Sequence, residues 1–230
     1  YADDIAKMIH PTIDFKIIPR KGEYFVLDKS IKGFIHHVLY PLPTSKGKGV
    51  LITPQVHGNI LLGPTSEFIN DKDDISTSTS GLYYIKEHAN SLAKDIPYHL
   101  IIRSFAGVRS SSTYDDFYIK EDALNKGFYH VAGIDSPGIT AAPAIAKYLV
   151  DEIIRIDLPI KKTYDPILKK KIVFKDLSKK EKAIKQKENS LYGRIICKCE
   201  QITEQEIIDA IKGPLGSQTI KGIKKRARAG

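Results

Sequence analysis

The only two cysteines of this 230-residue chain, Cys197 and Cys199, stand one residue apart in "RIICKCE". Thiolates bind iron and zinc, but a tetrahedral site takes four ligands, and this pair supplies two. A disulfide between residues i and i+2 would be badly strained. From these residues alone, a metal site, a redox pair and half of a larger site all remain open. Arg109, in "SFAGVRSSS", carries a planar fork of donors that matches a carboxylate or a phosphate. Its bland alternative is a surface pair with Asp115 or Asp116. Arg103, six residues earlier, reads as structural. His57, in "QVHGN", has an imidazole suited to taking a proton near neutral pH, although turn histidines are mostly solvated and idle. His36 and His37 are adjacent on strand-like sequence, so they point to opposite faces and cannot act together. "GIDSPGIT" (133–140) is a glycine-bearing loop opening a helix. Free N–H groups and the positive end of the helix dipole favour an anion at such a place.

These side chains need elements to hold them. Residues 1–9 read as a short amphipathic helix with Ile5, Met8 and Ile9 on one side. From Phe15 to Leu62 the texture is of strands: "EYFVLD" (23–28), "HHVLY" (36–40), "GVLITPQ" (49–55) and "NILLG" (59–63). "VHGN" (56–59) between the last two predicts a tight turn at Gly58. Residues 76–96 change period, with Leu82, Ile85, Ala89, Leu92 and Ala93 at helical spacing behind a Ser/Thr-rich start. Strand texture returns at 98–110, 116–120 and 127–134. Residues 135–154 predict a loop and a helix with Pro143 confined to the first turn or so. The stretch 157–190 reads as an extended linker with some helix near 178–189. Beyond it, 191–230 outline a mini-domain with a short strand, a helix at 203–211 with a Thr203–Glu206 capping box, and a second helix. Forty residues rarely build a self-sufficient core, so a staple such as a metal is expected there.

Composition narrows the classes. At 42% hydrophobic the chain can bury one sizeable core and a small second one. No apolar run is long enough to span a membrane, and the start "YADDIAKMIH" has no signal-peptide pattern. Two cysteines outside a disulfide framework fit a reducing, cytoplasmic setting. The chain opens at Tyr1 without an initiator Met, as an excised piece does. The net charge of +9 is uneven: residues 1–150 hold 16 Lys/Arg and 16 Asp/Glu, and residues 151–230 hold 20 and 11. A basic tail fits nucleic acid or an anionic membrane surface. Residues 157–190, however, hold eleven lysines with only Tyr164 and Phe174 as aromatics. That scarcity of stacking platforms favours a solvated linker over nucleic-acid binding and leaves peripheral membrane contact open.

Three phrases, "GKGVLITPQVHGNILLGPTSE" (47–67), "SFAGVRSSSTYDDFYI" (104–119) and "GFYHVAGIDSPGITAAPAIAKYLVDEI" (127–153), resemble one family. It is the FAD-dependent glycerol-3-phosphate dehydrogenase and L-2-hydroxyglutarate oxidase-like family of amino-acid-oxidase-type flavoproteins. "ICKCEQITEQEIIDAIKGPLGSQTIKGIKKRARAG" resembles the bacterioferritin-associated-ferredoxin-like 2Fe–2S domain fused to one branch of it. The fold class implied is α/β (α+β). It divides as an FAD-domain remnant (1–14), a β-rich substrate domain (15–126), a returning strand and helix of the FAD domain (127–156), a basic linker (157–190) and a truncated helical 2Fe–2S-type domain (191–230). The family begins with a GxGxxG turn, which does not occur in this sequence, so the chain resembles a C-terminal fragment that is itself inactive or nearly so.

The resemblance implies oxidation of glycerol 3-phosphate or a small 2-hydroxy acid by FAD. Arg109 would hold the substrate's anionic group, and His57 would take the hydroxyl proton. Gly133, Ser136, Gly138, Ile139 and Thr140 would lie against the flavin. The family often has Pro after the arginine, where this chain has Ser110. Cys197 and Cys199 resemble half of a four-cysteine 2Fe–2S site whose second pair follows the "RARAG" phrase. Electrons would pass through that cluster to a partner, an electron-transfer protein. The exposed cations Lys224, Lys225, Arg226 and Arg228 would ease the cluster's charge or dock that partner, or simply form a solvated helix face. A non-catalytic electron-relay or binding module is the alternative reading.

Overall fold

The computed structural model describes residues 1–43, 49–114, 116–155, 159, 161–164, 167, 171–213 and 216–229. They form two compact units, Tyr1–Leu158 and Pro159–Gly230.

The first unit is organised by one long strand, β1 (Ile17–Leu27), and its antiparallel neighbour β5 (Ile101–Ser112). On its other side β1 pairs with β3 (Ile60–Gly63) near its end and with the short β4 (Glu67–Phe68) near its start. Strand β2 (Leu51–Pro54) pairs with β3 through a hairpin whose turn has Gly58 at φ +93°. Alternation sorts the side chains of β1. Phe25 and Leu27 enter a core with Ile52, Leu62, Ile85 and Ala89, closed by the helix α2 (Thr79–Leu92). Full burial of each of the larger aliphatic side chains there contributes about 1.5–3 kcal/mol. Tyr24 and Arg20 face the other way.

A second cluster joins Ala6 of α1 (Ala2–Ile9), Phe15, Ile17, Tyr118 and Ala132. The last two belong to the hairpin β6 (Tyr118–Glu121) and β7 (Tyr129–Ala132). Asp3 is buried beside it, accepting from the Ile17 N–H at 3.1 Å and from Lys72 Nζ at 2.7 Å. Then α3 (Gly138–Tyr148) runs into a π-helical turn at Leu149–Ile154. Among the described residues, no helix is long and apolar enough to cross a membrane.

Two local expectations fail for identifiable reasons. "HHVLY" makes a single bridge, in which Leu39 and Ile52 exchange both backbone hydrogen bonds. The next ladder position on that strand is residue 41, a proline with no N–H to give, so no strand extends. Pro143 is the sixth residue of α3, inside the helix rather than in its first turn, and removes the N–H that would bond to the carbonyl of Ile139.

The second unit draws the later part of the basic stretch, from Phe174 onward, into its own packing instead of leaving it as linker. Phe174 is buried, stacks on Tyr192 at 5.6 Å between ring centres, and donates its N–H to Glu206 at 3.2 Å. Helix α4 (Lys179–Glu188) starts at a Ser178–Glu181 capping box. Strands β8 (Ile195–Cys197) and β9 (Ile202–Thr203) pair, and α5 (Glu204–Lys212) starts at the Thr203–Glu206 box expected from sequence. Ile202, Ala210 and Ala227, the last from α6 (Ile220–Ala227), make a small core.

Candidate functional site

Strands β1 and β5 hold the chemistry on their shared outward face. Their register sets Arg20 opposite Arg109, Gly22 opposite Gly107 and Tyr24 opposite Phe105. The two aromatic rings stack at 5.0 Å. Between the aromatic pair and the arginine pair the glycines leave a gap. A Cβ on Gly22 would stand 3.0 Å from Arg109 Nη2, so the guanidinium fits there only because that side chain is missing.

Above this face lies a cavity of 820 Å³. Its walls come from Gly63–Glu67 after β3, from Ser80, Gly81 and Tyr84 at the start of α2, and from Ser136 of the loop before α3. The volume is that of a small-molecule site. The α2 wall is fixed from beneath by Glu23. This fully buried side chain accepts from the Ser78 N–H at 3.0 Å and the Ser78 hydroxyl at 2.9 Å. The Glu23 N–H donates to Thr65 Oγ1 at 2.9 Å, and the Thr65 carbonyl accepts from Arg109 Nη2 at 3.0 Å. Arg109 is thus held by backbone rather than by Asp116; Asp115 lies outside the described residues. Burial and the neighbouring Arg20 charge lower the Arg109 pKa, against the attraction of Asp135. Burial raises that of Tyr24.

The loop 133–140 closes one end. Gly133 is buried at φ +63°, and a Cβ there would meet Ser112 Oγ at 2.8 Å. Asp135 accepts from the Ser111 hydroxyl and from the Ser136 N–H, the latter at 2.7 Å, and lies 4.0 Å from Arg20. Helix α3 begins after Pro137 with no side-chain cap, and Ile139 and Thr140 in its first turn are exposed. An uncapped, outward-facing helix start next to a cavity fits the anionic edge of a flavin. Gly133, Ser136, Gly138, Ile139 and Thr140 are brought together here as one loop.

His57 is not brought to this site. It is exposed on the β2–β3 turn, beside the end of β1 where Asn59 Nδ2 donates to the Leu27 carbonyl at 2.9 Å. Leu27 and Arg20 are seven residues apart on one strand, roughly 23 Å at 3.3 Å per residue. Arg103 is exposed near the Phe105 ring, away from the cavity lining. Arg20 is what sequence reading missed. It precedes the recognisable "EYFVLD" strand, and only the long β1–β5 register reveals it as the partner of Arg109.

In the second unit the Cys197 and Cys199 sulfurs lie 3.2 Å apart without a disulfide between them, with Cys199 exposed. The hydrogen bond with Cys197, which holds the proton on Cys199, raises the Cys199 thiol's pKa. Among the described residues, no group of three or more His, Cys, Asp or Glu could hold a metal. The chain supplies two of four thiolates. Lys224, Lys225, Arg226 and Arg228 are exposed at the end of α6.

The model of the FAD dependent oxidoreductase family matches residues 1–152. The chain belongs to that family. Residues 195–230 match the BFD-like [2Fe-2S] binding domain, so this flavoprotein chain carries an iron–sulfur module at its end. A glycerol 3-phosphate dehydrogenase of Caloramator mitchellensis is 42% identical over all of this chain and 48% of its own length. A glycerol 3-phosphate oxidase of Mycoplasma genitalium is 33% identical over 72% of the chain and 43% of its own. The flavoprotein chain thus spans about half the length of the curated relatives it matches. Among solved structures, the dithionite-reduced L-α-glycerophosphate oxidase of Mycoplasma pneumoniae with FAD bound superposes with a TM-score of 0.58. The superposition has 29% identity over 65% of this chain and 39% of that one.

Proposed function

We propose that this chain forms the substrate-holding wall and the electron exit of an FAD-dependent dehydrogenase that oxidises glycerol 3-phosphate. The observation that carries the reading is the half-buried Arg109, anchored on the Thr65 carbonyl and facing a cavity of substrate size. The two curated relatives named for glycerol 3-phosphate chemistry support that substrate over a 2-hydroxy acid. Arg109 holds the anionic end, and Tyr24, backed by the stacked Phe105 ring, lines the cavity beyond the glycine gap. FAD, when bound, supplies the acceptor for the hydride leaving the carbinol carbon. The segment of Gly133, Ser136, Gly138, Ile139 and Thr140 lies along the cofactor's anionic edge and offers it the first-turn N–H groups of Ile139 and Thr140, those of Ser136 and Gly138 being bonded to Asp135. His57, at the far end of the sheet, receives no part in proton transfer. Cys197 and Cys199 give two thiolates to a 2Fe–2S cluster that hands electrons to a partner protein, and reduced cysteines suit a reducing cytoplasm.

The test is an anaerobic absorption spectrum of the FAD-loaded protein that carries this chain. Bleaching by glycerol 3-phosphate and not by L-2-hydroxyglutarate is expected, and it weakens in Arg109→Lys. A spectrum of iron–sulfur absorption without a substrate-reducible flavin overturns the reading in favour of an electron relay.

A further inference from the structure

A second guanidinium shares the Arg109 cavity with an unused donor. Arg20 and Arg109 are direct cross-strand partners, so their side chains leave the sheet on the same face. Like charges in that position destabilise a sheet by up to about 1 kcal/mol, and the pair persists at the mouth of a cavity both residues line. Arg109 gives Nη2 to the Thr65 carbonyl. Arg20 Nε is buried and has no hydrogen-bond partner among the described residues. The carboxylate nearest Arg20, Asp135, stands at 4.0 Å, the outer limit of an ion pair, and is already bonded by Ser111 and Ser136. Glu67, the other acid at the cavity, is exposed at its rim. A buried N–H without an acceptor is costly, and Arg20 lines the same cavity as Arg109.

We propose that Arg20 is the second arm of an oxyanion clamp with Arg109, and that this pair selects a phosphomonoester dianion over a monocarboxylate. The inference rests on the glycerol 3-phosphate reading and deepens it. A carboxylate has two oxygens and one charge, which a single fork satisfies. A phosphomonoester has three terminal oxygens and carries close to two charges at neutral pH, which calls for two forks. Asp135 then acts as a positioning residue, tethering Arg20 without neutralising it.

The test is anaerobic calorimetric titration of the FAD-loaded protein that carries this chain with glycerol 3-phosphate and, separately, with L-lactate, for the native protein, Arg20→Gln, Arg20→Lys and Arg109→Lys. The expected result is a loss of about tenfold to hundredfold in glycerol 3-phosphate affinity in Arg20→Gln, as for one charge-assisted hydrogen bond. L-lactate binding changes less than about threefold on the same argument. Arg20→Lys, which keeps the charge and removes Nε, falls between. Native affinity for glycerol 3-phosphate rises through about pH 6 as the second phosphate proton leaves, and Arg20→Gln flattens that rise. A merely structural role for Arg20 would leave the pH profile intact. The inference is overturned if Arg20→Gln binds glycerol 3-phosphate as the native chain does, or weakens both ligands equally. If only Arg109→Lys loses affinity, the two-armed clamp fails and the substrate reading stands. A native chain that prefers L-lactate, or binds neither ligand, overturns both.

Discussion

Glu23 should prove to be the keystone of the cavity wall, and two substitutions separate its hydrogen bonds from its charge. Its side chain is 0% exposed and accepts from the Ser78 N–H and hydroxyl, while Gly81 presses so close that a Cβ there would lie 2.5 Å from Oε2. Glu23→Leu has a similar volume but leaves both Ser78 donors buried without an acceptor. At about 1–3 kcal/mol per orphaned group, the loss is about 2–6 kcal/mol. Glu23→Gln can keep both contacts, because its amide oxygen accepts from the N–H and its amide nitrogen donates to the hydroxyl oxygen. It forfeits only the favourable charge at the start of α2, about 0.3–1 kcal/mol. Urea unfolding followed by circular dichroism reads the difference. With a slope of about 2 kcal/mol per molar, Glu23→Leu lowers the midpoint by about 1–3 M and Glu23→Gln by under about 0.5 M. Glycerol 3-phosphate affinity should fall with Glu23→Leu, since Ser80, Gly81 and Tyr84 lose their footing. Equal midpoints for the two variants, or a Leu variant as stable as the native chain, would refute the reasoning.

In the second unit, Thr203→Ala removes the cap of α5 and frees Glu206 from one of its three bonds, a loss of about 1–2 kcal/mol expected in the denaturation of that unit. Gly22→Ala places a methyl group 3.0 Å from Arg109 Nη2 and from Pro64 Cβ. Overpacking of about 1–3 kcal/mol follows, read as a lower melting temperature together with weaker glycerol 3-phosphate binding. Acid should weaken the first unit. Burial alone would raise the Asp3 pKa, but the bonds from Lys72 and the Ile17 N–H lower it overall, and Lys21 with Ser76 lowers that of Asp74. A depressed carboxylate contributes stability that is fully present above its unfolded value near 4 and is lost as pH falls through its folded value. Urea midpoints should therefore hold from pH 7 to about 5 and drop below about 4. Lys72→Met should show a smaller drop than the native chain.

Much of the fold was legible because periodicity is a local property. The turn at Gly58, the helix carrying Ile85 and Ala89, and the Thr203–Glu206 box each lie within a few residues of the signal that announced them. "HHVLY" misled because its composition suits a strand, whereas the ladder fails on one missing N–H at Pro41, a property of pairing with Ile52. Packing of Phe174 against Tyr192 and Glu206 was equally invisible in a lysine-rich stretch, since lysine density hides the one aromatic that enters a core. His57 shows the opposite failure. Its type and its neighbours fitted a role, but seven residues of strand separate its end of the sheet from Arg20.

The site became readable only when register was known, and register explains why its parts need one another. A stripe of Arg20, Gly22 and Tyr24 on one strand means little by itself, because alternate positions on any strand share a face. Set against Arg109, Gly107 and Phe105 in antiparallel order, it becomes a row of three matched pairs: cationic, empty and aromatic. The empty pair lets the Arg109 guanidinium lie down onto the Thr65 carbonyl, and that bond ties it to the backbone of Glu23. Glu23 in turn holds Ser78 and the α2 wall. The cationic pair is the least stable element of the row, since the carboxylate that offsets the repulsion between the guanidiniums, Asp135, stands at the limit of ion-pair range. An anion between the two forks removes that repulsion and satisfies the buried Nε together. Ligand should accordingly raise the melting temperature of the native chain by more than that of Arg20→Gln, in step with the difference in affinity at a fixed ligand concentration.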